Sequence, residues 1–284
     1  MAVFFNQATL SYNNTVTNSN VVSGELLEVL SATKTAVRAE YRPDDRITYL
    51  ISIVNTGTLP YTDLTVTDNL GAYESGATTL YPLTYVEDSL RYFSNGVLQA
   101  TPVAQAGPPL TVSGITVPAN GNALIIYEAA VNQFAPFGVD ATIVNEATVS
   151  GGGLSTPITV TATIETEDIA VLSISKAICP AAVVENGQLT YTFIIENTGN
   201  TAAVATDDII VTDTFNPILN GITVTFNNET WTEGVNYTYD EATGQFATVA
   251  GQITIPAATY AQDPDTGVWV ITPGVGILRI TGTI

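Results

Sequence analysis

Few residues in this chain are able to do chemistry, and two of them stand at matching places. The 284 residues contain no histidine, one cysteine (Cys179) and two lysines, Lys34 and Lys176, which lie 142 residues apart. A lysine amine becomes a nucleophile when burial strips its water and its proton. The plainer role is a structural ion pair or a snorkelling stem. Without histidine, Ser-His-Asp and Cys-His catalysis and His-ligated metal sites are excluded. One cysteine makes neither an internal disulfide nor a Cys-rich zinc site. Cys179 is expected to be a buried small apolar residue, with cross-linking of subunits as the alternative. The acid-dense turns Asp207-Asp208 and Asp263-Pro264-Asp265 offer oxygen ligands for calcium, but lack EF-hand spacing and are expected to be solvated. No cofactor, no metal and no enzymatic activity are therefore expected.

Around the lysines the chain repeats itself. Val29 to Val37 (VLSATKTAV) matches Val171 to Cys179 (VLSISKAIC), and Ile47 to Gly57 (ITYLISIVNTG) matches Leu189 to Gly199 (LTYTFIIENTG). Val66-Thr67-Asp68 then matches Val211-Thr212-Asp213. Ile115 to Ala119 matches Ile253 to Ala257, and Ala123 to Val131 matches Gly276 to Ile284. Each segment is a short β-branched or alternating run bounded by Asn, Gly or Pro, which reads as a strand between turns. No segment of helical length has a 3.6-residue period. Two tandem Ig-like β-sandwiches follow, an all-β protein.

The ends of the repeat are offset. Repeat 1 continues through Ile143 to Gly151, and repeat 2 has no counterpart before Ile284, so the second sandwich is expected to lack its last strand. Phe5 to Tyr12 (FNQATLSY) resembles Val144 to Gly151 (VNEATVSG), with Asn6 matching Asn145 and Ala8 matching Ala147. The expected organisation is residues 1–24 as donor strand and linker, 25–151 as sandwich 1, 152–166 as linker and 167–284 as the incomplete sandwich 2. A sandwich without an edge strand exposes unpaired backbone and an apolar groove. Two sandwiches end to end would place that groove about 60–80 Å from the start of the first, from ordinary strand lengths. Asn13 to Gly24 spans at most roughly 40 Å, so the expected donor is a neighbouring copy rather than the same chain. The donor residues are Phe5, Asn6, Ala8, Leu10 and Tyr12, with Ala8 and Leu10 facing the groove and Phe5, Gln7 and Thr9 facing away. The expected acceptor is the C-terminal strand with Ile277, Ile280 and Ile284.

The order Lys, then TY-x-I-x-x-x-NTG, then VTD, then NEATV resembles the bacterial Ig-like surface repeat catalogued as domain of unknown function eleven. A two-repeat version of about 30 kDa is similar to the structural proteins of clostridial endospore appendages. The resemblance implies a self-assembling filament subunit on a spore or cell surface, partnered by itself and by other appendage or spore-coat proteins. The alternative is an Ig-like adhesin displaying ligand-binding loops. Relatives of this kind can join a first-strand lysine to a last-strand asparagine, a buried carboxyl shuttling the proton. That implies Lys34 with Asn145 and Asp68, and Lys176 with Asp213 and Asn6 of a neighbour, while the equivalent pair Asn55 and Asn197 remains an alternative.

Charge and the N-terminus bear on partners and location. A net charge of −20 leaves no electrostatic footprint for nucleic acid or an anionic membrane and keeps subunits soluble before assembly. Met1 to Asn20 has no basic n-region and no long apolar run, so no Sec signal is read there, and no window reaches a membrane span. The expectation is synthesis in the cytoplasm, a mother cell's, followed by release to the surface.

Overall fold

A computed structural model describes residues 2–284. They are strands and turns with a single turn of 3-10 helix, Ala205–Asp207. Contacts divide the chain into two units. The first comprises residues up to 39, 44–132 and 144–164; the second comprises 40–43, 133–143 and 165–284.

In the first unit the alternation read from the sequence becomes two facing sheets. One runs Val97–Leu98, Arg91–Ser94, Gly121–Val131, Arg46–Asn55, Leu30–Ala36. The other runs Val103–Gln105, Leu110–Val117, Tyr61–Asp68, Thr142–Gly151, Ile158–Thr166. Strand Arg46–Asn55 buries every second residue, Ile47, Tyr49, Ile51 and Ile53, because successive side chains point to opposite faces. Leu64, Val66, Ile125, Ile143 and Val149 meet them from the neighbouring strands. Asn55 closes its turn by donating to Leu59 O (2.8 Å) and Pro118 O (3.0 Å) and accepting from Gly57 N (2.9 Å).

Residues 152–166 are not a linker. Ile158–Thr166 is a strand of the first sandwich, with Ala162 and Ile164 buried. Its inward positions are Ile158, Val160, Ala162 and Ile164, an alternation that a linker reading overlooks.

The second unit has one complete sheet: Leu172–Cys179, Gln188–Asn197, Gly274–Thr283, Asn220–Phe226, Glu229–Thr230. The sheet facing it has three short strands, Thr212–Thr214, Gln245–Thr248 and Tyr237–Asp240. Between them lie Tyr191, Phe193, Phe215, Leu219, Phe246 and Ile280. Phe215 stacks on Tyr191 with centroids 5.0 Å apart. Asn197 repeats the role of Asn55, donating to Thr201 O (2.7 Å) and Pro256 O (3.1 Å).

The N-terminal segment is also structured. Ala2–Asn6 pairs antiparallel with Val22–Leu26, and Thr9–Tyr12 with Thr15–Asn18. The tip is Asn13-Asn14, both at positive φ (42° and 61°), the two-residue turn whose twist suits a hairpin. Residues 13–24, expected as a linker to a lone donor strand, are thus the turn and most of a second arm.

Candidate assembly site

The closing strand of the first sandwich, Thr142–Gly151, builds a buried polar cluster. It pairs with Tyr61–Asp68 in the register Ala147 to Asp68, Val149 to Val66 and Gly151 to Leu64. Its inward residues Ile143, Asn145, Ala147 and Val149 are buried, and Val144 is half exposed. Across the sandwich, the edge strand Leu30–Ala36 turns Lys34 toward them. Lys34 Nζ lies 2.7 Å from Asp68 Oδ2, with both side chains sealed from solvent. The Tyr127 hydroxyl donates to the same carboxylate oxygen. Asn145 Nδ2 donates to Tyr127 Oη (3.2 Å), and Asn145 Oδ1 accepts from Gly71 N (3.2 Å).

Burial sets the charges of this cluster. It lowers the Lys34 pKa to about 8, outweighing the opposing pull of Asp68. Burial, then the Asp68 charge, pushes the Tyr127 hydroxyl well above its ordinary value, so it stays a donor. Lys34, Asp68 and Asn145, picked out in the sequence, are thus brought into one hydrogen-bonded chain. The link between them, Tyr127, was missed. Its signal was an inward tyrosine in an otherwise aliphatic strand, because a buried hydroxyl needs a partner. The alternative asparagines Asn55 and Asn197 have both amide atoms occupied by their turns. Those turns stand at the end of the strand away from the lysine, since Lys34 lies opposite Ile51.

The same place in the second sandwich is open. Thr212–Thr214, the counterpart of the strand that Thr142–Gly151 covers, pairs on one side with Gln245–Thr248. Among the described residues no strand pairs with its other side. The edge strand opposite is exposed along its whole length, Leu172–Cys179. Leu172 is 39 % exposed where Leu30 is 8 %. The Lys176 side chain is 40 % exposed where that of Lys34 is fully buried. Ile174 (56 %) and Ile178 share their inward-facing parity. Lys176 is ion-paired with Asp213 and rests 4.3 Å from the Tyr191 ring centroid, 5.3 Å from Phe193 and 5.6 Å from Phe215. A cation over three ring faces gains from their quadrupoles.

The expected acceptor strand is corrected by this arrangement. Gly274–Thr283, which carries Ile277 and Ile280, pairs with Gln188–Asn197 on one side and Asn220–Phe226 on the other. Ile280 is buried in the core, and the Ile284 backbone is tied to Asn186 and Gly187. A strand bonded on both edges takes no third partner; the free edge belongs to Thr212–Thr214. Cys179 is exposed rather than buried, because it has the outward parity of its strand, as does its counterpart Val37, which is also exposed. The acidic turns are occupied by their own chain. Asp263 Oδ1 accepts from Thr266 N and Asp265 N, which holds its carboxyl below the usual range, and Asp207 Oδ2 accepts from Val204 N.

The donor residues named from the sequence, Phe5, Asn6, Ala8, Leu10 and Tyr12, lie in the N-terminal hairpin with exposed side chains. Between Met1 and Leu26 the only charged side chain is Glu25. Phe4, Phe5, Leu10, Tyr12, Val16 and Val22 are all more than half exposed. Exposed sheet edges ordinarily carry charge that discourages pairing; this ribbon carries only Glu25.

The architecture is that of tandem Ig-like β-sandwiches, the second lacking its closing strand among the described residues. No protein-family model matches the chain, and no curated protein matches it. Solved structures similar to it include a family 123 glycoside hydrolase from Clostridium perfringens (11 % identity, 49 % of this chain and 28 % of that one, TM-score 0.31). Two others are the collagen-binding domain of a Staphylococcus aureus adhesin (13 %, 50 % and 100 %, 0.30) and the pilus backbone RrgB of Streptococcus pneumoniae (14 %, 86 % and 55 %, 0.36). The chain spans less than two thirds of the hydrolase and of the pilus protein. Likenesses at these scores say nothing about ligand or partner.

Proposed function

We propose that this protein is a self-assembling structural subunit of a bacterial surface or spore-surface filament, in which the N-terminal segment of one copy closes the second sandwich of the next. The observation that carries the reading is the open edge at Thr212–Thr214, at the place where the first sandwich holds Thr142–Gly151. The N-terminal segment repeats that strand's residues, Asn6 for Asn145 and Ala8 for Ala147, and is exposed. Donor and acceptor surfaces differ, so the contact is head-to-tail and does not close; such contacts propagate into filaments. The partner is then another copy of this chain, with other appendage or spore-coat proteins as lateral or terminal partners. Nucleic acid and membrane are not partners in this reading, and no catalysis is assigned.

Negative-stain microscopy of the purified chain over a concentration series tests it. Filaments or ladders that grow with concentration are expected. A discrete monomer at every concentration refutes assembly and leaves the alternative, an adhesin whose sandwich loops bind a ligand.

A further inference from the structure

The first sandwich is closed by two strands, not one. Thr142–Gly151 joins Tyr61–Asp68 by one edge and Ile158–Thr166 by the other, and both strands bury residues against the core. Among the described residues the second sandwich has neither strand beyond Thr212–Thr214. The N-terminal hairpin offers two arms in the same chain order. Its first arm is bonded to the second arm on one edge, with the other edge free.

The likeness extends to the contacts between arms. Thr148 Oγ1 meets Thr159 Oγ1 across the closing pair (3.3 Å), and Thr9 Oγ1, at the position of Thr148, donates to Asn18 Oδ1 (3.0 Å). Phe4 lies opposite Gly24, and Asn6 opposite Val22. A Cβ at Gly24 would fall 2.4 Å from Phe4 Cζ, so the glycine lets the Phe4 ring lie across the second arm on the face that carries Asn6 and Val22. By the match to Ile143, Asn145, Ala147 and Val149, that face is the inward one: Phe4, Asn6, Ala8 and Leu10.

Resting on the proposed head-to-tail assembly, we infer that the donated element is the whole folded hairpin, docking as a two-stranded unit on the second sandwich of another copy without its arms separating. Its first arm adds antiparallel to Thr212–Thr214, with Ala8 opposite Asp213 and Leu10 opposite Val211, as Ala147 and Val149 stand opposite Asp68 and Val66. Its second arm becomes the new sheet edge. The occupant is a second copy's hairpin because the first sandwich shows the same pattern of residues filling the same place. Asn6 is delivered to the Lys176–Asp213 pair without the bridging hydroxyl of Tyr127, whose counterpart is Ile280.

A disulfide lock tests the inference in the full-length chain. Thr9→Cys with Asn18→Cys joins facing residues on the outward side, in a Cys179→Ser background. A second lock, Ser11→Cys with Val16→Cys, joins the next outward pair and guards against one lock distorting the ribbon. Free-thiol titration establishes closure. The oxidised and reduced forms are expected to polymerise to extents within about twofold, the change ordinary for surface substitutions. If reduced chains polymerise and both oxidised locks stay discrete, the arms must part, and hairpin docking is overturned while strand donation stands. If the Cys179→Ser parent also stays discrete, the proposed function itself fails.

Discussion

Replacing Leu10 by aspartate separates docking of the inward face from any looser association of the N-terminal ribbon. Leu10 is 60 % exposed in the free chain, and its counterpart Val149 is fully buried in the first sandwich. Covering the remaining surface of a leucine is worth roughly 1–2 kcal/mol, a bit over half of a full burial. A carboxylate in its place would be buried without a cation, two positions along the arm from the residue facing Asp213, at a cost of about 3–5 kcal/mol. Together these weaken association by roughly 4–7 kcal/mol, or about a thousandfold to a hundred-thousandfold at 1.4 kcal/mol per decade. The matched control is Thr9→Asp, which adds the same charge on the outward side and is expected to change assembly by about twofold. Sedimentation of both variants over a concentration series, with the fold checked by far-UV circular dichroism, reads the difference. Leu10→Asp polymers at wild-type concentration, or equal loss in Thr9→Asp, would refute the register and the inward face.

Deleting residues 2–26 leaves both thermal transitions of the sandwiches in place and abolishes polymerisation; the hairpin added as a peptide caps ends and shortens filaments, and unchanged filaments from the deletion disprove donation. Lys34 has a folded pKa of about 8 against 10.5 for an ordinary lysine, so between pH 8 and 10 the unfolded chain holds more protons and stability rises with pH. That gain is at most about 3 kcal/mol on full titration, and the raised Tyr127 value reverses the trend above pH 10. Chemical denaturation of the wild type and Lys34→Met at pH 7.5 to 10 checks this, and equal slopes count against it. The Lys34–Asn145 bond implied by the family resemblance is the opposite outcome to that titration, because it joins the amine nitrogen to Asn145 Cγ, releases the amide nitrogen as ammonia and leaves no amine to titrate; its signature is an intact mass one ammonia short in the wild type and full in Lys34→Ala. A wild type at its sequence mass excludes that bond. The corresponding Lys176–Asn6 bond between copies gives ladders that survive boiling in detergent with reductant and vanish in Lys176→Ala.

Part of the site was legible because it is written twice. Lys34 with Asp68 and Lys176 with Asp213 are paired in both sandwiches, and the repeat of VTD after the lysine strand was enough to couple them. Asn145 was reached through the family resemblance, which joins a first-strand lysine to a last-strand asparagine; that it faces inward came from the structure. Tyr127 was not, because an aromatic among aliphatics reads as core until a carboxylate is seen beneath its hydroxyl. The hairpin was also within reach of the sequence: Asn13-Asn14 between two β-rich runs is a two-residue turn signal, passed over in favour of a linker.

Composition, alternation and internal repetition are properties of the linear chain, and they determine its chemical poverty, its strands and its two homologous sandwiches. The unmatched tail of the first repeat, Thr142–Gly151 without a counterpart in residues 167–284, is also a linear fact. Which edge that absence leaves free is decided only in three dimensions. Gly274–Thr283 alternates buried and part-exposed residues as an edge strand would, yet it lies between two partners. Local pattern records which face of a strand is buried and carries nothing about its lateral neighbours. Strand order arises from pairings between residues far apart in sequence, so only the tertiary structure shows that Thr212–Thr214 keeps one side unpaired among the described residues.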